Sequence, residues 1–160
     1  MPAQLKQDLL DLSSLRFLVA DDHQFQRDMV ARLLQQLGAG AVYCACDGAA
    51  VLRALDDPAT PVDILVLDLA MPGFDGVEVM SKLSSSRTPV AVIVNSSFGA
   101  EFLDSIALIA EGNDVNLLGA VTKPLNAATL RSLVDRFMET RSLAAGLAPV
   151  LSGEFPAPLQ

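Results

Sequence analysis

Five short apolar runs recur along this chain, and each is followed by a stretch with helical periodicity. That alternation constrains the fold more than any other feature. The runs are LRFLVA (15–20), AVYCA (41–45), VDILVLD (62–68), PVAVIVN (89–95) and LLGAVT (117–122). The third is the most continuously apolar, as expected of a strand covered on both faces. Between them, Phe25, Met29, Leu33 and Leu37 repeat every four residues and predict a first helix with that stripe in the core. Asp47 is placed to N-cap GAAVLRAL, VEVMSKL opens a third helix, and AEFLDSIALIAEG reads as a fourth. A last helix begins near Asn126, with Leu130, Leu133, Val134 and Phe137 facing inward.

Alternating strands and helices with buried strands imply parallel pairing through right-handed crossovers. The expected fold is α/β, a doubly wound five-stranded parallel sheet of flavodoxin-like order 2-1-3-4-5. One domain is expected over 14–142, a length of chain that commonly forms a single unit. Residues 1–13 read as an N-terminal extension, with Leu5, Leu9 and Leu12 on one side of a short helix. Residues 143–160 are small, Pro- and Gly-containing and aperiodic, and read as a flexible tail or linker.

The net charge of −8 argues against a nucleic-acid partner, which needs a basic face. No apolar run approaches bilayer length and the N-terminus lacks an apolar signal core, so no membrane association and a cytoplasmic location are expected. Cys44 and Cys46 sit two apart on the second strand, on one face of it. They are expected to be small buried side chains in a reducing compartment, not a disulfide or a zinc site.

In an open α/β sheet, ligands bind beyond the carboxyl ends of the strands, at the point where strand order reverses. Here that point lies between the first and third strands, which end in Asp21–Asp22 and in Asp68. Three carboxylates gathered in one crevice repel one another and call for a cation. An all-oxygen acidic site suits Mg²⁺ or Mn²⁺. The same edge carries Ser96 and Ser97 after the fourth strand and Lys123 after the fifth. A hydroxyl, an ammonium and a divalent cation around one carboxylate suit phosphoryl transfer to that carboxylate. His23, the sole histidine, is expected as an exposed first-turn residue, and Asp75 as a loop or cap residue.

The motifs DD (21–22), LDLAMPGFDG (67–76), NSS (95–97) and KP (123–124) together resemble the receiver domain of bacterial two-component response regulators. The likeness covers roughly residues 14 to 140. It implies that Asp68 is the phosphoacceptor and that Asp21, Asp22, Asp68 and the main-chain carbonyl of Ala70 ligate Mg²⁺. It implies that Ser96 is the switch hydroxyl, and that Ser97, Lys123 and the main chain of Leu69 also contact the phosphoryl group. A cis peptide before Pro124 is usual in the family. The implied partners are a histidine kinase or phosphotransfer protein and a downstream effector, with no independent substrate turnover. DDHQFQR and GNDVNLLGAVTKPL look narrower still, like receivers fused to EAL-type cyclic-di-GMP phosphodiesterases. No EAL domain is present in this sequence, so the chain acts alone or is the receiver part of a longer protein.

Three positions depart from the family pattern. Ala120 stands where receivers usually carry an aromatic on the fifth strand, and the usual hydroxyl–aromatic coupling cannot operate in that form. Ala70 and Phe98 occupy the positions that usually tune phosphoryl loss, and neither side chain can orient a water by hydrogen bonding. The alternative reading is a non-switching protein-interaction module of the same fold. A phosphohydrolase would want a second acid where Ala70 stands.

Overall fold

A computed structural model of the chain describes residues 12–71, 76–83 and 89–151, with side chains to residue 143. Five strands are present: β1 (Arg16–Ala20), β2 (Ala41–Ala45), β3 (Ile64–Leu67), β4 (Ala91–Ser96) and β5 (Asn116–Thr122). They alternate with helices α1 (Gln24–Gln36), α2 (Gly48–Asp56), α3 (Gly76–Leu83), α4 (Ala100–Gly112) and α5 (Ala127–Leu151). The sheet has order β2-β1-β3-β4-β5 and every pairing is parallel, as the alternation predicts.

The two faces of the sheet bury separate apolar layers. Side chains of β1, β3 and β4 alternate between them, because successive residues of a strand point to opposite faces. Leu18, Leu65, Val92 and Val94 join Val51 and Leu55 of α2, Val79 and Met80 of α3, and Leu103 and Ile106 of α4. Phe17, Val19, Val66 and Ile93 join Val30 and Leu34 of α1 and Leu130, Leu133 and Val134 of α5. The inward face expected for α5 is therefore present, with Phe137 packed at its margin.

The core stripe expected for α1 is corrected. Val30 and Leu34 are the buried residues of that helix, whereas Phe25 and Met29 are 75% and 47% exposed. Each step of four residues turns about 400° around a helix axis, so a four-residue stripe drifts about 40° per step. The stripe starts on the solvent side at Phe25 and reaches the core margin only at Leu33 and Leu37.

The two cysteines are also corrected: Cys44 and Cys46 are both exposed. β2 is the edge strand of the sheet, and only Ala45 of its five residues is buried. Cys44 lies on the same side of β2 as Val42, at the margin of α1 near Arg27 and Asp28, and Cys46 lies just past the end of the strand.

Asp47 caps α2 as expected, its Oδ1 accepting the Ala50 N–H at 2.7 Å. Asn126 does the same for α5, accepting from Thr129 N–H at 2.8 Å. α5 then continues to Leu151, into the segment expected as a tail, where Ala and Leu favour helix. Residues 152–160, residues 1–11 with the expected short helix, and Asp75 lie outside the described residues. Leu12, which follows that stretch, is buried against the α1/α5 layer.

Candidate functional site

β1 and β3 are neighbours that run in the same direction, so both end at one edge, and each is followed there by an acid. Asp21 and Asp68 are 3% and 4% exposed, an unusual burial for carboxylates. The backbone holds them: Asp21 N–H donates to Ala45 O at 3.2 Å and Asp68 N–H to Ala20 O at 2.9 Å. Asp21 Oδ1 accepts the His23 N–H at 2.9 Å, which anchors the turn into α1. Neither Asp21 nor Asp22 occupies the N-cap of α1. That position is His23, whose side chain makes no capping bond.

Lys123 arrives from the end of β5. Its N–H donates to Ser96 O at 2.7 Å, and the Lys123–Pro124 peptide is cis. The ammonium Nζ lies 2.9 Å from Asp21 Oδ2 and 3.2 Å from Asp68 Oδ2. Burial is the largest influence on the lysine and works against its charge, but the pairing with Asp21 and Asp68 outweighs it and holds its pKa above the ordinary value. Burial dominates at Asp68 and pushes its carboxyl above the usual range, against the pull of the Ala70 N–H and of Lys123.

The described residues that flank Asp68 hold its carboxylate and backbone closely. Ala70 N–H donates to Asp68 Oδ1 at 3.1 Å, and Gly76 N–H closes back onto Leu69 O at 3.1 Å. A Cβ on Gly76 would stand 2.7 Å from Leu69 Cα and 2.8 Å from Asp68 O, so only glycine fits behind Asp68. Leu69 is buried and Ala70 is exposed.

Ser96 is fully buried at the end of β4, and its Oγ accepts the Phe98 N–H at 3.1 Å. Ser97 is exposed. Phe98 and Phe102 pack with ring centroids 4.4 Å apart, both rings partly in solvent. Ala120 is partly buried against the α2–α4 layer, and the β4–β5 register shifts between Val92 and Ile93 so that Leu118 is left unpaired.

The residues present fit a divalent cation. Oxygens of Asp21, Asp22 and Asp68 and a nitrogen of His23 all lie within 4.8 Å of one another. Among the described residues, Asp22 Oδ1 is buried with no hydrogen-bond partner; His23 Nδ1 stands 3.1 Å away but outside hydrogen-bonding geometry. A buried carboxylate oxygen with no donor is costly unless a cation meets it.

Three contacts were not legible in the motifs. Gln26 Oε1 accepts from Lys123 Nζ at 2.6 Å, and the Arg27 guanidinium donates to Asp21 O at 2.8 Å. His23 is exposed as expected but leans toward the acids. The available signal was helical spacing: Gln26 and Arg27 lie about one turn beyond Asp22–His23, on the end of α1 that faces the site.

The profile of the response regulator receiver domain matches residues 17–135, more than half of the chain. The chain belongs to the response regulator receiver domain family. This receiver is 36% identical over 121 residues to protein-glutamate methylesterase/protein-glutamine glutaminase 5 of Myxococcus xanthus, covering 75% of the chain and 33% of that protein. It is 28% identical over 130 residues to the cyclic di-GMP phosphodiesterase RocR of Pseudomonas aeruginosa, covering 81% of the chain and 33% of that protein. Among solved structures, the BeF3-activated DrrB receiver domain aligns with a TM-score of 0.61 and 26% identity, over 78% of this chain and 97% of that one. CheY in its CheX–BeF3–Mg complex from Borrelia burgdorferi aligns at 0.66 and 20% identity, over 78% and 89%, a likeness of fold. The receiver spans about a third of the length of the two curated relatives named here. Among its described residues no helix is long and apolar enough to cross a membrane.

Proposed function

We propose that this receiver accepts a phosphoryl group on Asp68 with Mg²⁺ bound, and thereby changes what its surface binds. The observation that carries the reading is the convergence of Lys123 on Asp21 and Asp68, beside an Asp22 oxygen that has no hydrogen-bond partner among the described residues. Asp21, Asp22, Asp68 and the Ala70 carbonyl would hold the cation, which neutralises the incoming phosphoryl oxygens. Asp68 supplies the attacking oxygen. Lys123 pairs with the phosphoryl group once the cation occupies the carboxylates, and the main chain at Leu69 and the Ser97 side chain border it. Ser96 turns its hydroxyl toward the new group.

Ser96 Oγ is the acceptor for Phe98 N–H, so turning that hydroxyl frees the start of the β4–α4 connection. With Ala120 in place of an aromatic, the route to the surface runs through Phe98, Phe102 and residues 112–118. A histidine kinase or phosphotransfer protein supplies the phosphoryl group, and an effector reads the altered surface. The DDHQFQR motif and the match to a cyclic di-GMP phosphodiesterase support an effector of EAL type. The acid set, with Ser96 and Lys123 intact, disfavours the non-switching interaction module. The module is read as a protein of the cytoplasm with no turnover beyond its own phosphorylation and dephosphorylation.

The test is intact-mass spectrometry after incubation with acetyl phosphate and Mg²⁺. Wild type gains one phosphoryl group and Asp68→Asn gains none. No gain together with no Mg²⁺ binding overturns the reading. Amide exchange over 98–118, with and without a phosphoryl mimic, tests the route of the switch; identical exchange there excludes it.

A further inference from the structure

The Lys123 ammonium has three N–H bonds and, among the described residues, three oxygens in close contact. Two are Asp21 Oδ2 and Asp68 Oδ2, at 2.9 and 3.2 Å. The third and shortest contact is Gln26 Oε1 at 2.6 Å, from the first turn of α1. The first two acceptors are anionic and belong to the acid set that a divalent cation would draw on. The third is a neutral amide oxygen outside that acid set. A lysine is a flexible four-carbon stem carrying a point charge, so its reach toward a phosphoryl group depends on what holds its tip.

We propose that Gln26 is a positioning residue for Lys123. It keeps the ammonium at the mouth of the site when a cation occupies the carboxylates, so that the charge meets the phosphoryl oxygens. The proposal rests on the phosphoacceptor reading above. It makes α1 part of the acceptor machinery, through an amide that touches neither the cation nor the phosphoryl group. Gln26 also forms one wall of a groove of about 480 Å³ that continues along Phe25 and Met29 to Pro124. A half-buried group of α1, one turn from the buried Val30, therefore reaches the lysine directly.

The test separates cation binding from binding of a phosphoryl mimic. Mg²⁺ affinity, and beryllofluoride affinity at saturating Mg²⁺, are measured by calorimetry for wild type, Gln26→Leu, Lys123→Ala and the double variant. Fluorine NMR of the bound beryllofluoride reports the ammonium directly. Gln26→Leu is expected to weaken beryllofluoride about fivefold, the worth of one net hydrogen bond, while Mg²⁺ affinity changes less than about twofold. The fluorine spectrum shifts, and Gln26→Leu has no further effect in the Lys123→Ala background. Unchanged beryllofluoride affinity in Gln26→Leu, or an equal loss in both backgrounds, overturns the positioning role. Wild type that binds Mg²⁺ but no beryllofluoride overturns the phosphoacceptor reading itself, a different result.

Discussion

The Lys123 ammonium lies 3.2 Å from the carboxylate of Asp68, across a site that the chain closes only by bringing the ends of β3 and β5 together. Without a cation, Lys123 is the compensating charge for two buried acids. Lys123→Ala is expected to destabilise the metal-free protein by about 3 kcal/mol, since it strands both carboxylates. Saturating Mg²⁺ recovers most of that loss by binding the folded state alone. Urea denaturation with EDTA and with Mg²⁺ measures both. Equal losses in the two conditions contradict the compensation.

Asp68 itself carries a pH signature. Its folded pKa is raised, chiefly by burial, above the unfolded value of about 3.9. Between those two values the folded state keeps a proton that the unfolded state has released, so this group lowers stability as pH rises through the window. Asp68→Asn removes the effect. In EDTA at neutral pH it should melt a few degrees above wild type, with the gain vanishing as pH falls to the unfolded carboxylate range. Thermal melts from low to neutral pH check this.

Ala70 and Phe98 offer no side-chain hydrogen bond to an attacking water. Ala70 is exposed and the Phe98 ring packs on Phe102. The phosphorylated protein should therefore persist for hours. Replacing Ala70 with Asn and Phe98 with Gln is expected to shorten the lifetime about tenfold, a barrier change of about 1.4 kcal/mol. The decay of the phosphorylated mass in purified protein measures it, and a wild-type lifetime of seconds sinks the argument.

The rotation of α1 has a plain consequence for stability. Leu34 is fully buried, and Leu34→Ala should cost about 3 kcal/mol. Met29 is half in solvent, and Met29→Ala should change stability by no more than about 0.5 kcal/mol. Comparable losses in urea would place the helix in the register read from its four-residue stripe.

Cys44 is exposed, yet neighbouring atoms crowd its thiol. Burial raises its pKa, Arg27 lowers it and Asp28 raises it, with a net upward shift. Alkylation of Cys44 should follow a pH profile centred above the ordinary thiol value of about 8.5. Peptide mapping after timed iodoacetamide exposure gives the profile. A midpoint below the ordinary value would exclude the crowding.

Much of this protein was legible in the order of its residues. Apolar runs located five strands, and the acids at the ends of β1 and β3 located the site once the strand order was inferred. Asp47 announced its helix because capping is a local bond between a side chain and a backbone N–H three residues on. The failures share one cause. Phe25 and Met29 look like core residues, and Cys44 and Cys46 look buried, when judged by residue type alone. Their exposure follows from what covers α1 and the β2 edge, which no local pattern encodes.

The sequence by itself determined the element order, the parallel sheet and the set of chemical groups available at its carboxyl edge. Those follow from backbone hydrogen bonding and side-chain periodicity over stretches of some ten residues. The tertiary structure alone decided the rotation of α1, the open flank of β2 and the meeting of Gln26 with Lys123. The physical reason is that a side chain's periodicity belongs to its own element, whereas its burial and its partners belong to whichever element packs beside it.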